Sequence, residues 1–307
     1  MVNKDLINVI VIAGPTASGK TDIALHLADF AAIEIISADS RQIFKYMDIG
    51  TAKPSKEELD NVKHHFIDIL EPDVHYSAGM FGDDAEKAAR NIAESNKTPV
   101  VVGGSGLYIQ SMTEGLFEES IKSDPQLRDE LNRIYQEKGR DKLYEMLLEK
   151  DPGSAENNPD KNPVRMIRAL EYAITTGKKI SEERQNKISR NINPIYFAAE
   201  HNRDTLYDRI NRRTEIMWEM GFELETKKIL EMGFSPELNS LNTVGYKECI
   251  DYLRGNINRQ TAIDKMKQNT RRFAKRQLTW FRKINGLQWL EGDSKSIAEK
   301  IAKICNL

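Results

Sequence analysis

Cysteine is scarce in this 307-residue chain: Cys249 and Cys305 stand far apart, with no Cys-x-x-Cys or Cys/His spacing around them. That scarcity argues against a disulfide framework and a structural zinc site, and it makes a reducing compartment the default. Long apolar runs are lacking too. Residues 6–13 form an apolar stretch that is too short to cross a bilayer and runs straight into a glycine-containing loop. Cytoplasmic placement without a membrane partner is the expectation. Neither sign of charge dominates, since 45 Lys+Arg against 47 Asp+Glu leave a formal net charge of −2. Bulk charge therefore neither calls for nor excludes a nucleic acid, and local clustering must decide. Internal repeats and low-complexity tracts are absent as well. What remains is a chain long enough for one large or two modest domains with a sizeable core.

The most informative segment is residues 9–21. Val9 to Ala13 read as a buried parallel strand, and Gly14, Pro15, Thr16, Ala17, Ser18, Gly19, Lys20 and Thr21 match the phosphate-loop pattern G-x-x-x-x-G-K-[ST]. An amphipathic helical pattern opens at Thr21. In such a loop the backbone N–H groups form an anion nest, and the helix N-terminus adds the positive end of its dipole. Lys20 is placed to reach terminal phosphates and Thr21 to hold Mg²⁺ through its hydroxyl. A ligand carrying a di- or triphosphate is implied.

The first hundred residues alternate apolar runs with helical patterns, the rhythm of βαβ units. Strands are expected over residues 6–12, 33–36, 66–69 and 100–102, with a fifth over 195–199 returning to a parallel sheet. Ser77 is the expected N-cap of a helix that Asn96 ends. From about residue 120 the style changes. Ser123-Asp124-Pro125 and Asn162-Pro163 read as helix starts, Asp151-Pro152-Gly153 as a turn and Gly177 as a helix stop. The organisation expected is a core over 1–120, a helical insertion over 121–190, and core completion with C-terminal helices over 191–307. Those last helices are expected over 205–220, 224–232, 246–253 and 261–283.

Asp39 follows the second strand, at the sheet edge where open α/β folds hold ligands. Position alone leaves two readings open: a carboxylate that binds Mg²⁺ or acts as a base, and a cap for a helix from Gln42 onward. Gly103, Gly104, Ser105 and Gly106 form a second strand-to-glycine-turn passage, offering a hydroxyl at the same edge. Arg209 and Arg213 share a helix face, with Asp208 and Glu215 as candidate partners in a merely solvated surface. Residues 265–283 are strongly basic, with Phe273, Trp280 and Phe281 interleaved. Such a helix commonly tracks a phosphate backbone. Helical spacing places Phe273 and Trp280 in the core, and the basic face is local evidence for nucleic acid.

Over nearly its whole length the chain resembles the tRNA dimethylallyltransferases. The matching runs are Gly14 to Thr21, Ser37 to Gln42, Met47 to Pro54, Gly103 to Tyr108, Val244 to Glu248 and Ala274 to Trp280; the 48–54 run is far more specific than the phosphate loop. The resemblance implies a P-loop NTPase-like α/β fold and transfer of a dimethylallyl group from dimethylallyl diphosphate to N6 of the adenosine beside the tRNA anticodon. It makes Asp39 the general base, gives Ser105 and Arg213 catalytic places with Arg213 on the diphosphate, and keeps Mg²⁺ on Thr21. It further implies tRNA contacts from Asp39, Ser40, Arg41, Gln42, Arg128, Val164, Arg165, Arg168, Asn242, Gly245, Tyr246 and Lys247, joined by the basic face of Arg271, Arg272, Lys275 and Arg276. Many relatives carry Thr where this chain has Ser105; some carry Gln at Val164 and Arg at Asn242. A monomer is expected. The competing reading is a small-molecule kinase that uses ATP on the same fold.

Overall fold

The computed structural model describes residues 6–116, 124–183 and 188–307. The expected boundary at 120/121 and the cap region at Ser123 lie outside the described residues. The chain divides into two compact units, one of residues through Thr113 together with Asn191–Leu307, the other Glu114–Arg190.

In the larger unit, β1 (Ile7–Ala13), α1 (Lys20–Leu27), β2 (Ile33–Ser37), α2 (Lys56–Asn61), β3 (His64–His65), α3 (Ala78–Glu94), β4 (Thr98–Gly103) and α4 (Gly106–Thr113) come first. The apolar runs read from sequence thus become strands because they are buried on both faces, as parallel strands must be. The smaller unit holds α5 (Pro125–Lys150), α6 (Pro152–Glu156), α7 (Pro163–Thr176) and α8 (Ile180–Glu183). The larger unit resumes with β5 (Ile192–Ala199), α9 (Arg203–Glu219), α10 (Phe222–Glu231), α11 (Tyr246–Leu253), α12 (Arg259–Phe281), β6 (Gln288–Leu290) and α13 (Ser294–Cys305).

The six strands form one parallel sheet in the order β3-β2-β4-β1-β5-β6. β1 is central, and the register Ile12↔Val102 and Ile36↔Val101 brings the C-terminal ends of β1, β2 and β4 side by side. The phosphate loop, Asp39 and Ser105 follow those three ends, so topology alone gathers them at one edge. One face of the sheet packs Phe81, Ile109 and Phe281; the other packs Ile23, Leu27, Ile297 and Ile301. A third core under α9–α12 holds Met47, Trp218, Phe222 and Tyr246.

Expectation and structure part at four places, one being the turn expected at Asp151-Pro152-Gly153, where α6 starts with Asp151 as its cap. The strand expected over 66–69 is instead the two-residue β3. Phe66 (φ 65) and Asp68 (φ 56) sit in the left-handed region, which breaks an extended run. No helix starts at Gln42; the chain turns there, and Phe44 makes an isolated bridge to Leu70. The small β6 and the closing helix α13 extend the sheet and cover its second face, and neither was expected from sequence. In the smaller unit each of three helix starts has a polar cap: Asp124, Asp151 and Asn162 accept backbone N–H bonds ahead of prolines at the first helical turn.

Candidate active site

The phosphate loop closes on itself. Ser18 Oγ donates to the Pro15 carbonyl at 2.9 Å and Lys20 Nζ to the same oxygen at 2.6 Å. Ala17 (φ 64) and Gly19 (φ 82) adopt left-handed backbone, and α1 begins at Lys20, so successive amides converge where the helix dipole is positive. Arg213 Nη1 donates to Thr16 Oγ1 at 3.3 Å, which anchors α9 to the loop. Among the described residues, none of Lys20, Arg209, Arg212 and Arg213 pairs with a carboxylate, so the solvated Asp208/Glu215 surface does not form; Glu215 pairs with Lys267 instead. Burial, reinforced by the neighbouring Arg213 charge, pulls the Lys20 ammonium down to about 7. Burial also lowers Arg213. Lys20 and Arg213 are drawn out of water with only the more distant Asp39 and Asp22 carboxylates to offset them, an arrangement that favours an anion.

Asp39 is held at the turn that follows β2. Its Oδ1 accepts from the amides of Arg41 at 2.8 Å and Gln42 at 3.4 Å, so it caps a turn and not a helix. Its carboxylate also lines the cleft beyond the loop.

That cleft consists of two cavities. One, of about 440 Å³, is lined by Lys20, Thr21, Lys53, His64, Arg209 and Arg212. The other, of about 370 Å³, is lined by Leu107, Ile210, Met217, Met266, Val244 and Trp280, with Ser105 on its wall. Asp39, Thr16, Arg213, Gln277 and Phe273 line both. A polar, cation-rich chamber and an apolar one therefore meet at Asp39 and Arg213.

The 48–54 segment forms a wall of this cleft, and the residue that builds it was invisible in sequence. Glu225 on α10 accepts from the amides of Asp48 (3.0 Å), Ile49 (2.7 Å) and Gly50 (3.0 Å) and from the Tyr246 hydroxyl (2.6 Å). A Cβ on Gly50 would lie 2.3 Å from the Phe222 ring and 2.6 Å from Tyr246, so only glycine fits there. Lys53 Nζ binds the Phe44 carbonyl at 2.7 Å and Asp48 at 2.6 Å, and also contacts Asp68. Gln42 donates to the carbonyls of Thr51 and Ala52 at 3.2 and 3.1 Å. No local pattern connects Glu225 with Gly50; only a carboxylate with several donors gathered on it reveals the clasp.

Two expectations on the C-terminal helices are corrected. Phe273 and Trp280 are each 39 % exposed and line the cleft, while Ala274, Gln277 and Phe281 beside them are buried. The helical spacing was right, but the buried stripe is displaced by one residue. Tyr246, taken as a tRNA contact, is 0 % exposed with its hydroxyl held by Glu225, and burial raises its phenol well above the ordinary value. It shapes the wall from inside the core.

The other residues expected to meet RNA are placed as follows. Ser40, Arg41 and Arg276 line the apolar cavity; Arg272, Lys275, Lys247 and Asn242 are exposed. Arg271 bonds Asn211 at 2.6 Å. Gly245 is buried, its amide donating to Glu248 at 2.7 Å. In the smaller unit Val164 is 75 % exposed and Arg165 is exposed, whereas Arg128 and Arg168 close on the buried Glu171 at 2.7 and 2.9 Å.

The chain is similar to known proteins over nearly its whole length. The family model described as IPP transferase matches residues 42–284. A tRNA dimethylallyltransferase of Acetivibrio thermocellus is 44 % identical, with 96 % of this chain and 95 % of that protein covered. The crystal structure of a full-length tRNA isopentenylpyrophosphate transferase from Bacillus halodurans superposes with a TM-score of 0.72 at 37 % identity, covering 98 % of this chain and 96 % of the other. A eukaryotic dimethylallyltransferase described as acting on tRNA gives a TM-score of 0.78 at 27 % identity, covering 97 % of this chain and 78 % of that one.

Proposed function

The chain belongs to the IPP transferase family, and from that premise we propose that it transfers a dimethylallyl group from dimethylallyl diphosphate to N6 of the adenosine 3′ of the tRNA anticodon. The observation that carries this reading is the pair of cavities meeting at Asp39 and Arg213. The cationic chamber suits a diphosphate and the apolar one suits an allyl chain and a base. A kinase would leave the apolar chamber and the basic helix α12 without a use.

The chemistry follows from that division. The exocyclic amine of adenine is a poor nucleophile because its lone pair is delocalised into the ring. As the N6–C1 bond forms and the C1–O bond breaks, N6 becomes acidic and the Asp39 carboxylate accepts its proton. Negative charge grows on the departing diphosphate, and the loop amides, Lys20 and Arg213 are fixed in advance to receive it. Ser105 offers a hydroxyl on the wall of the apolar chamber. The oxygen donors of Thr21, Ser37 and Asp39 line the cationic chamber. So sparse a protein donor set fits Mg²⁺, which takes most of its ligands from diphosphate and water. When bound, the ion would add charge neutralisation at the leaving group.

The target base must leave its stack to enter, which fits RNA approaching the apolar chamber past Arg41 and Arg276. Both cavities are lined by one unit of a single chain, which supports a monomer as the working form. No helix among the described residues is long and apolar enough to cross a membrane. With tRNA as substrate and two free cysteines, a cytoplasmic place of work is the reading we adopt. The test is incubation with unmodified tRNA, Mg²⁺ and labelled dimethylallyl diphosphate. Label in RNA at an adenosine beside the anticodon is expected; unlabelled RNA alongside robust ATP-dependent phosphorylation would overturn the reading.

A further inference from the structure

Gln277 is the one uncharged polar side chain of the basic helix that is buried, 7 % exposed, and its amide reaches away from its own helix to two separate loops. Its Oε1 accepts from the Thr16 backbone N–H at 2.9 Å, and its Nε2 donates to the Gly104 carbonyl at 2.9 Å. The orientation of the amide is fixed by its partners, because a backbone N–H can only donate and a carbonyl only accept. The fit is close: a Cβ on Gly104 would stand 2.3 Å from Gln277 Nε2. The two backbone groups belong to different walls. Thr16 lies in the phosphate loop and carries the Arg213 contact, while Gly104 precedes Ser105. Gln277 lines both cavities, at the place where they join.

We propose that Gln277 is a positioning residue for the transfer reaction: a strut that sets the distance between the phosphate loop and the Ser105 wall and ties both to the basic helix. This rests on the function proposed above. Its physical basis is that the leaving group and the acceptor amine are held by different walls, so their in-line alignment depends on the spacing between them. A displacement of about 1 Å in such an arrangement costs on the order of 100-fold in rate. A residue that served only the fold would lower stability without selecting one kinetic constant.

The experiment compares wild type, Gln277→Met and Gln277→Glu in steady-state transfer with tRNA, read together with tRNA binding and thermal unfolding. Gln277→Met keeps the length and loses both bonds. It is expected to lower kcat by about 10- to 100-fold while KM for tRNA stays within about twofold. Gln277→Glu keeps the acceptor for Thr16 and, when protonated, regains the donor for Gly104. Its kcat relative to wild type is therefore expected to climb as pH is lowered from about 8 to about 6. This pH signature needs no comparison with Gln277→Met, so it decides the matter even if that variant fails to fold. Wild-type-like kcat in Gln277→Met, or a flat relative pH profile in Gln277→Glu, overturns the strut. Wild type that places no label in tRNA overturns the functional reading instead, so the two failures are told apart.

Discussion

The two chambers of the cleft are close in size, about 440 and 370 Å³, and differ in chemistry, the second being the more apolar. One is bounded by Lys20, Arg209 and Arg212, the other by Leu107, Met217, Met266 and Trp280. The difference teaches how a phosphate loop can be turned from phosphoryl transfer to alkyl transfer. The loop keeps its anion nest, and the change lies across the shared wall, where an apolar pocket stands ready for a carbon chain. In the proposed reaction Asp39 on that wall takes the proton from nitrogen and Arg213 meets the leaving group. The reaction is placed at a boundary between dielectric environments.

The comparison is broken most severely by removing one of the two charged groups at which the chambers meet. Asp39→Asn keeps the Oδ1 acceptor used by the Arg41 and Gln42 amides and loses the base. Single-turnover transfer should fall by about 10²–10⁴-fold with tRNA affinity within about twofold. Equal turnover would remove Asp39 from the mechanism. Arg213→Ala acts on the leaving group and leaves Thr16 without its guanidinium partner. A drop of about 10²–10³-fold in kcat is expected, with weaker binding of inorganic diphosphate. A change in tRNA affinity alone would place Arg213 on the wrong side of the boundary.

Smaller effects sharpen the contrast. Replacing Arg272, Lys275 and Arg276 by Gln should weaken tRNA binding by about tenfold at physiological salt. The salt dependence should flatten too, by about 0.7–0.9 in log–log slope for each phosphate left without its cation. An unchanged slope would mean that this face of α12 is only solvated. The least is expected from pH. Lys20, lowered to about 7 chiefly by burial and next by Arg213, is an ammonium below that pH and neutral above it. Diphosphate affinity should therefore drop a few-fold between about pH 6 and 8.5 relative to Lys20→Arg, whose charge persists. Calorimetry in buffers of different ionisation heat should show proton uptake on binding just above pH 7. No uptake would mean that the anion leaves Lys20 unchanged.

How much of this was legible in the sequence depended on how local each feature is. The phosphate loop was legible because strand, loop and helix are contiguous and each residue type has a direct job. Asp39 was found by its distance from the end of β2, although its capping of a turn needed coordinates. The strand expected over 66–69 failed because positive φ at Phe66 and Asp68 leaves no trace in hydrophobic patterning. Phe273 and Trp280 were misplaced because periodicity gives the spacing of a buried stripe, and the partner helices decide its angle. Glu225 was hidden altogether, since it meets Gly50 across a sequence separation of 175 residues. Arg128 and Arg168 show the reverse hazard. A resemblance made them RNA contacts, and the fold holds both against the buried Glu171, so any RNA they meet must share them.

The central claim is that the cationic chamber holds a leaving group while the new bond is made to carbon. It is tested most directly with dimethylallyl diphosphate carrying ¹⁸O at the oxygen that bridges carbon and phosphorus. After transfer to tRNA, all of the label should be recovered in released diphosphate, because the C–O bond breaks. Label released as dimethylallyl alcohol, the mark of P–O cleavage with no prenyl group on RNA, would contradict the account.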